Sequence, residues 1–379
     1  MIPQSGELRI STQRLGHNIA AFRKRLPQNV KISAIVKANA YGHSLAAMTP
    51  LFKDAGVDWL CVYSLEEAGE LLGLNSQLPI LVLAPLATRG APFEFSAAQL
   101  RVLESDRVRV TLTDADSALA LAAWAAKQKL SRQLNVHVQI DTGLTRHGVS
   151  PSESRKLLAD FENLPSLALE GIFMHFSHGE APNHPVTAAQ LGEFERITKP
   201  LKEKNPKLIR HAQNSGGTWN VSDAALDMVR LGIAIYGLQP SLAHPIKDLQ
   251  PIARLVAPIA AIHQRSAGVG VGYSHIFTTK RPSRLAVIPV GYADGYPRHL
   301  SNRGSVEFSG ALLPVVGRVS MDQIVADVTD STAKVGDVVT LISDDPNSPI
   351  CMDRLAERCG TIGYELATRM GPRLVRKIV

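Results

Sequence analysis

A single lysine, Lys37, stands at the end of an apolar run and is followed at once by a polar break in the chain. The local sequence is AIVKANAYGHS, residues 34–44, so the lysine directly follows a stretch typical of a buried strand. Burial disfavours the ammonium form and lowers the pKa, and a free amine can form a Schiff base with an aldehyde. A salt-bridged lysine at a strand end fits the same local pattern.

Polar side chains follow several other apolar runs in the same way. Arg146 and Arg230 carry guanidinium groups, whose forked donors can hold a planar anion or an acceptor nitrogen. The segments NSGG (214–217) and RLGIAIYG (230–237) could present backbone N–H groups to an anion, although glycine pairs are also common in ordinary turns. The remaining candidates are Tyr41, Gln139, Asp141, His175, His178, His211, Asn214, Ser215 and Gly232. So many polar groups in equivalent positions predict a functional site.

The histidines allow a second interpretation, a metal site. His175, His178 and Glu180 have the spacing of a ligand set. The carboxylate-rich surroundings that a catalytic metal needs are absent from the neighbouring sequence, and such histidine spacings are common. We therefore expect no metal.

A repeating pattern must position these residues. Apolar runs recur at 31–36, 58–63, 79–84, 107–112, 135–140, 169–176, 209–214 and 226–232. Helical periodicity fills the gaps at 45–55, 65–72, 116–129, 152–161 and 187–201, with Ser64, Asp114 and Thr187 as caps. This alternation predicts an α/β fold, a closed TIM-like (β/α)8 barrel whose strand carboxyl ends face the active site. A doubly wound sheet would need a G-x-G-x-x-G turn where the chain has KANAYGH.

The pattern changes after residue 240. Prolines at 240, 245, 251 and 258 mark a junction, and β-like runs follow at 254–262, 284–290, 305–310, 311–319, 323–328 and 337–342. We predict a barrel domain over residues 1–240 and a C-terminal, mostly antiparallel β domain over residues 241–379.

Composition narrows the class of protein and its partners. The 379 residues carry a net charge of +7, but the basic residues are scattered and have no interleaved aromatic residues, which argues against a nucleic-acid partner. An odd number of cysteines, Cys61, Cys351 and Cys359, indicates a reducing compartment. Neither a signal peptide nor a membrane-spanning stretch is visible, so we expect a cytoplasmic protein without a membrane partner.

Nine motifs occur in order: VKANAYGHS, DTGLTRHG, HFSHGEAPNHP, NSGGTW, DMVRLGIAIYG, VGYSH, PVGYADGYPR, VVGRVSMDQ and TIGYE. Together they resemble the alanine racemase family of fold type III pyridoxal 5′-phosphate enzymes, from about residue 7 to residue 376. The resemblance implies a barrel followed by a β domain, a homodimer with active sites at the subunit interface, and interconversion of L- and D-alanine. The reaction would supply D-alanine for peptidoglycan or catabolise L-alanine.

The resemblance also assigns roles to residues. Lys37 would bind the cofactor covalently and act as one base, and Tyr273 of the partner subunit would be the other. The ionised form of Tyr273 would be favoured by positive charge on His175 and Arg230, and Arg230 would face the pyridine nitrogen. The phosphate would be contacted by Tyr41, Ser215, Gly232, Ile233 and Tyr364, and His175 and Asn214 complete the cofactor site. Arg146 and the backbone of Met321 would bind the substrate carboxylate, supported by Gln139, His211 and Asp322.

The chain departs from the family pattern at Gln139, where the family usually has a lysine that is often carbamylated and orients the carboxylate-binding arginine. A glutamine carbonyl can still accept a hydrogen bond from Arg146, so we expect Gln139 to replace the carbamate. His147 and Leu231 stand where leucine and proline are usual, and the first strand-like segment, residues 7–11, lacks the common aspartate.

Three other functions stay open. A racemase of broader range would act on serine or lysine as well as on alanine. A decarboxylase of the same two-domain plan usually has an acidic residue at the pyridine nitrogen, and Arg230 argues against it. A non-catalytic pyridoxal phosphate-binding protein generally lacks the second domain, which here contains Tyr273, Met321 and Tyr364.

Overall fold

The computed structural model describes residues 6–88, 92–130, 132–221 and 225–379. Its larger sheet contains the parallel strands β2 (Lys31–Ile35), β3 (Trp59–Val62), β4 (Ile80–Pro85), β5 (Val108–Leu112), β6 (Leu134–Gln139), β7 (Leu167–Phe173), β8 (Ile209–His211) and β9 (Met228–Leu231). Neighbours follow chain order from β2 to β8, and β9 pairs with β2. Backbone hydrogen bonds of 2.9 Å from Asp227 to Arg210 and from Arg230 to Gln213 bring β9 against β8. The predicted barrel fold is confirmed.

Helices alternate with these strands, as the periodicity predicts. They are α1 (Thr12–Arg23), α2 (Lys37–Tyr41), α3 (Leu45–Asp54), α4 (Leu65–Gly73), α5 (Ala97–Leu103), α6 (Ala115–Gln128), α7 (Pro151–Asp160), α8 (Pro185–Lys204) and α9 (Ser215–Asn220). The barrel strands are largely apolar because the barrel interior covers one face and the helices cover the other, with polar exceptions such as His137, His211 and Arg230.

Two of the three predicted helix caps are confirmed. Ser64 Oγ accepts from the backbone N–H of Glu67 at 3.3 Å, and Asp114 Oδ1 accepts from that of Ser117 at 2.7 Å. The prediction for Thr187 is wrong, because α8 begins at Pro185 and is capped by His184. Proline is favoured in the first helical turn, where its missing N–H would have no partner.

The second domain is built on three sheets. The largest has the order β16-β15-β18-β10-β1-β19, beside a three-stranded sheet β11-β14-β17 and a hairpin β12-β13. The strands are β1 (Glu7–Ile10), β10 (Ala253–Pro258), β11 (Ala261–Arg265), β12 (Gly270–Val271), β13 (Phe277–Thr278), β14 (Ser283–Ile288), β15 (Ser305–Phe308), β16 (Ala311–Pro314), β17 (Ile324–Asp327), β18 (Val338–Ile342) and β19 (Val375–Ile378). Seven of the eight strand pairings described in this domain are antiparallel and the β1–β19 pairing is parallel, so the predicted mostly antiparallel character is confirmed.

Strand β1 lies in the sheet of the second domain, although it precedes the barrel in the chain. The division at residue 240 therefore stays a prediction for the boundary, since this sheet joins segments from both sides of it. Helices α10 (Met352–Arg358) and α11 (Gly363–Thr368) also belong to this part of the chain. They escaped the sequence analysis because two turns are too few to establish helical periodicity.

Among the residues that the structure describes, no helix combines the length and apolar character needed to cross a bilayer.

Candidate active site

A cavity of about 600 Å³ opens at the carboxyl ends of the barrel strands. It is lined by most of the predicted site residues: Lys37, Tyr41, Gln139, Arg146, His175, Asn214, Ser215, Arg230, Gly232, Ile233 and Tyr364. Tyr364 comes from α11 of the second domain, so both domains form the wall. The cavity thus brings together residues that are more than 300 positions apart in the sequence.

Lys37 begins a left-handed turn, α2. Ala38, Asn39, Ala40 and Tyr41 have φ values of 54°, 56°, 53° and 51°. Left-handed helical geometry costs an L-residue roughly 1–2 kcal/mol, because Cβ approaches the following carbonyl oxygen. Surrounding contacts must offset this cost to hold the Lys37 backbone in place.

Several hydrogen bonds hold the turn. Glu67 Oε1 accepts from the backbone N–H of Ala38 at 2.7 Å, and its other oxygen accepts from that of Tyr63 at 2.7 Å. Asn39 Oδ1 accepts from the Leu45 N–H at 2.6 Å, at the start of α3. The His43 ring nitrogen Nδ1 contacts the carbonyl oxygen of Tyr41 at 2.9 Å, so Nδ1 carries the proton.

The surroundings of Lys37 favour its neutral amine. Burial lowers the pKa of Lys37, and the positive charge of Arg146 lowers it further, whereas the Glu67 carboxylate raises it. The ammonium nitrogen lies 5.7 Å from the centre of the Tyr63 ring. A lysine with a lowered pKa in a cavity has the nucleophilic amine that Schiff-base chemistry requires.

Arg230 is 3% exposed and its two terminal nitrogens are saturated with acceptors. Nη1 donates to His211 Nδ1 at 2.8 Å and to the His211 carbonyl oxygen at 3.1 Å. Nη2 donates to the carbonyl oxygens of Met174 and Ala212, at 2.7 and 3.1 Å, and to His175 Nδ1 at 3.2 Å. Nε donates to no acceptor in the described part of the chain, and the residue lines the cavity. Nε is therefore the donor left for an acceptor atom inside the cavity.

The expectation of a positive charge on His175 is wrong. Burial lowers the pKa of His175 to about 3, and the charges of Arg230, Arg146 and Lys37 contribute in the same direction. Its Nδ1 accepts from Arg230, which the neutral ring allows. Arg230 remains a cation, because burial lowers its pKa only to about 10.

The metal interpretation has no support from the position of the other histidine. His178 stacks on His184 with ring centres 4.1 Å apart, and its Nδ1 contacts Ser177 Oγ at 2.9 Å. His175 instead turns toward Arg230.

The predicted phosphate-binding residues form a cluster of uncharged donors. Burial raises the pKa of both Tyr41 and Tyr364, so their hydroxyl groups stay protonated. Ser215 begins α9, where its Oγ accepts from the Gly232 N–H at 2.9 Å. A Cβ atom at Gly232 would lie 3.0 Å from the Tyr41 hydroxyl, a tight contact, so glycine leaves more room beside that hydroxyl. Because the Gly232 N–H is already bonded to Ser215, the donors that this cluster offers to a phosphate are the hydroxyl groups of Tyr41, Ser215 and Tyr364.

Gln139 and Arg146 both line the cavity. Gln139 is buried at the end of β6, whereas Arg146 lies in the exposed loop after it. Neither side chain makes a hydrogen bond with any described residue, so replacement of the carbamate by Gln139 stays a prediction.

Tyr273, Met321 and Asp322 lie outside this cavity. They line a second, open cavity of about 550 Å³ on the second domain. Tyr273 and Met321 are 69% and 52% exposed, so both side chains are accessible at the surface of the single chain. Asp322 pairs with Arg373 at 2.7 Å.

The sequence analysis missed Glu67, Tyr63 and two residues behind Arg230, the buried His137 and the half-buried Glu170. Tyr63 directly follows β3, so the rule for strand ends could have found it. Glu67 stands in the first turn of α4, where an acidic residue is ordinary, and no sequence signal distinguishes it.

Two family models match the chain. The model described as the N-terminal domain of alanine racemase matches residues 10–240, and the C-terminal domain of alanine racemase matches residues 252–378. The chain therefore belongs to the alanine racemase family, and the resemblance inferred from the nine motifs is confirmed.

Individual alanine racemases are similar to this chain over nearly its whole length, in sequence and in structure. The alanine racemase of Desulfovibrio desulfuricans is 36% identical over 366 residues, which cover 96% of this chain and 95% of that protein. That of Francisella philomiragia is 33% identical and covers 98% of this chain and 99% of its own. The structure of alanine racemase from Clostridium difficile has a TM-score of 0.90 at 30% identity, covering 100% of this chain and 97% of that one. That from Bartonella henselae, described with covalently bound pyridoxal phosphate, has a TM-score of 0.84 at 31% identity and covers 100% of both chains.

Proposed function

We propose that the protein is a pyridoxal phosphate-dependent alanine racemase that works with two bases, Lys37 and Tyr273. The observation that carries this proposal is the single cavity in which the Lys37 amine, Arg230 and the uncharged donors around Gly232 face one another. Its support in the known proteins is the membership of the chain in the alanine racemase family.

The residues present fit the cofactor. Lys37 would join its aldehyde, Arg230 Nε would donate to its ring nitrogen, and the Tyr41, Ser215, Gly232, Ile233 and Tyr364 cluster would hold its phosphate. Bound pyridoxal phosphate supplies an electron sink for the negative charge that develops when the α-proton of an amino acid is removed. Guanidinium does not readily give up its proton, so Arg230 would leave the ring nitrogen unprotonated.

Racemisation requires that a proton leave one face of the α-carbon and return to the other. Lys37 Nζ would exchange the proton of D-alanine, and Tyr273 Oη would exchange that of L-alanine. Arg146, at the rim of the same cavity, would hold the substrate carboxylate together with the Met321 backbone.

The second base would come from a partner subunit. Tyr273 and Met321 are exposed and line a separate cavity, which supports a homodimer in which each chain completes the active site of the other.

Hydrogen exchange tests the two-base proposal. The holoenzyme is incubated in heavy water with each alanine enantiomer, and chirality and α-deuteration are followed. We expect wild-type protein to racemise and deuterate both. Tyr273→Phe should still exchange the α-hydrogen of D-alanine without racemising it, because Lys37 remains, and should leave L-alanine unlabelled. Equal labelling of both enantiomers by Tyr273→Phe would contradict the role of Tyr273.

Mixed dimers test the shared site. Lys37→Ala and Tyr273→Phe proteins are each expected to be inactive as racemases. If the chains exchange at random, half of the dimers become hybrids with one intact site, so activity should recover to about a quarter of wild type. No recovery in hybrids that mass spectrometry verifies would place both bases in one chain.

The same assay tests the substrate range. His147 lines the cavity at a position where the family usually has leucine, which favours testing serine and lysine beside alanine. Rates near that of alanine would indicate a broader racemase. Labelling of no amino acid would indicate a non-catalytic cofactor-binding protein.

The choice between D-alanine supply for peptidoglycan and L-alanine catabolism depends on the cell. We also propose a cytoplasmic location, because the three cysteines are free thiols.

A further inference from the structure

A row of polar groups runs through the barrel behind Arg230, from the buried Arg230, His211 and His137 to the half-buried Glu170, whose side chain is 24% exposed. Arg230 Nη1 lies 2.8 Å from His211 Nδ1, and His211 Nε2 lies 2.8 Å from His137 Nδ1. His137 Nε2 in turn lies 3.6 Å from Glu170 Oε2. Both imidazoles are 0% exposed, so surface solvent does not compete for the Arg230–His211 and His211–His137 contacts.

Neighbouring strands supply the groups of this row. Glu170 lies on β7, His137 on β6, His211 on β8 and Arg230 on β9. The His137 ring packs against the backbone of β7, where a Cβ atom at Gly171 would lie 2.5 Å from His137 Cε1. The glycine therefore gives the ring the room to reach His211.

Arg230 and Glu170, at the two ends of the row, allow one arrangement of the protons on the His211 and His137 rings. Guanidinium can only donate, so His211 Nδ1 must accept and a neutral His211 carries its proton on Nε2. That proton can only be donated to His137 Nδ1, which leaves the proton of His137 on Nε2. His137 Nε2 faces the Glu170 carboxylate, which can only accept. Both hydrogen bonds of the row therefore point from Arg230 toward Glu170. The last contact, at 3.6 Å, is electrostatic, because His137 Nε2 has no hydrogen-bond partner among the described residues and the nearby carboxylate attracts its proton.

Glu170 is itself held in place. Arg109 binds both of its carboxylate oxygens, from Nε at 2.6 Å and from Nη2 at 2.9 Å. This forked pair keeps the carboxylate ionised and orients it toward His137.

We propose that Glu170 and His137 are positioning residues for Arg230, acting through His211. This row of contacts keeps both imidazoles neutral and fixes the plane of the Arg230 guanidinium, so that Arg230 Nε points into the cavity. The inference rests on the proposed role of Arg230 as the donor to the cofactor ring nitrogen. What it adds is that the strength of the hydrogen bond from Arg230 Nε depends on the Glu170 carboxylate, three contacts away.

Neutron diffraction from wild-type holoenzyme tests the proton order without any substitution. We expect deuterium on Nε2 of both His137 and His211 and none on either Nδ1. Deuterium on Nδ1 of either ring overturns the proposal.

Nitrogen NMR tests the effect on the cofactor, with holoenzyme that contains pyridoxal phosphate labelled with nitrogen-15 in the ring. Glu170→Gln removes the charge at the end of the row, and His137→Leu removes the acceptor for His211. We expect both to shift the ring-nitrogen signal in the direction of Arg230→Lys, but less, and to lower kcat about tenfold with little change in KM, as for outer partners of bound imidazoles.

Two controls separate this effect from general loss of stability. Val136→Ala removes buried volume beside His137, and Glu162→Gln removes an exposed carboxylate that pairs with Lys204. Neither should move the ring-nitrogen signal. If Arg230→Lys moves it but Glu170→Gln and His137→Leu do not, the positioning proposal is wrong and the proposed function stands. If Arg230→Lys leaves it unchanged, the role of Arg230 fails, and this inference fails with it.

Discussion

Arg376 Nη2 donates a hydrogen bond of 2.8 Å to the carbonyl oxygen of Gly42, which joins the last strand of the chain to the turn that carries Lys37. The same guanidinium donates to the carbonyl oxygens of Met370, Gly371 and Leu374, at 2.8, 2.6 and 2.8 Å. One side chain therefore connects the end of α11, strand β19 and the strained left-handed turn. The second domain thus helps to fix the position of Lys37.

Replacing Arg376 should loosen this turn. Arg376→Lys cannot reproduce the forked contacts, and losing two or three hydrogen bonds from a charged donor should cost about 2–4 kcal/mol of unfolding free energy. The turn should then relax, and pyridoxal phosphate should bind more weakly. Urea unfolding and cofactor titration of the apoprotein measure the two effects. Lys377→Met, one residue further and exposed, is the matched control and should change neither.

Opposite charges beside Lys37 should shift cofactor uptake in opposite directions. Arg146 lowers the pKa of Lys37 and Glu67 raises it. Arg146→Gln should therefore raise the pKa, leave less free amine at a given pH, and move cofactor uptake to higher pH. Glu67→Gln keeps an oxygen for the Ala38 N–H but removes the negative charge, so uptake should move to lower pH. The pH dependence of the rate of cofactor binding by the apoprotein measures both.

Shifts of the same sign in the two variants would contradict this electrostatic account. They would indicate that each substitution acts through the geometry of the turn, since Glu67 also binds its backbone.

Lys37 and Arg230 could be predicted from sequence because strand period and barrel geometry place them at strand ends. Glu67 could not, because its role depends on the left-handed turn that it faces. The neutrality of His175 could not be predicted either, since it follows from burial beside the positive charges of Arg230 and Arg146. The role proposed for Tyr273 comes only from the family resemblance. Nothing in the local sequence distinguishes a tyrosine that acts as a base in the partner subunit from an ordinary exposed tyrosine.

Asp353 should make stability depend on pH. It is buried in α10, where its Oδ2 accepts from the Gln239 N–H at 3.0 Å, and burial raises its pKa to about 6. An unfolded aspartate has a pKa of about 3.9, so the native state binds more protons between about pH 4 and pH 6. Stability therefore falls as pH rises through this window. At neutral pH the charged group costs about 1–3 kcal/mol.

Asp353→Asn keeps an acceptor for Gln239 and removes the charge. We expect it to raise the unfolding free energy at pH 7 relative to wild type, and to gain less or nothing at about pH 4. Asp330→Asn, an exposed substitution that removes the same charge, is the control. Urea unfolding at both pH values provides the comparison. A benefit of Asp353→Asn that is equal at the two pH values would contradict the prediction.

Gln139 should support substrate binding by acting as a hydrogen-bonding partner of Arg146. Because it has no amine to modify, the activity of the protein should not depend on bicarbonate. Its amide is buried at the end of β6 and lines the cavity with Arg146, but it is neutral where the family resemblance implies a lysine that is often carbamylated. Removing one neutral hydrogen-bonding partner should cost about 1 kcal/mol, so Gln139→Ala should raise the KM for alanine about fivefold with a smaller change in kcat.

Gln139→Lys should acquire activation by bicarbonate, whereas wild type should not respond to it. Steady-state kinetics with and without bicarbonate measure all three proteins. An unchanged KM in Gln139→Ala would show that Arg146 is oriented by another group, and bicarbonate activation of wild type would locate the modified lysine elsewhere.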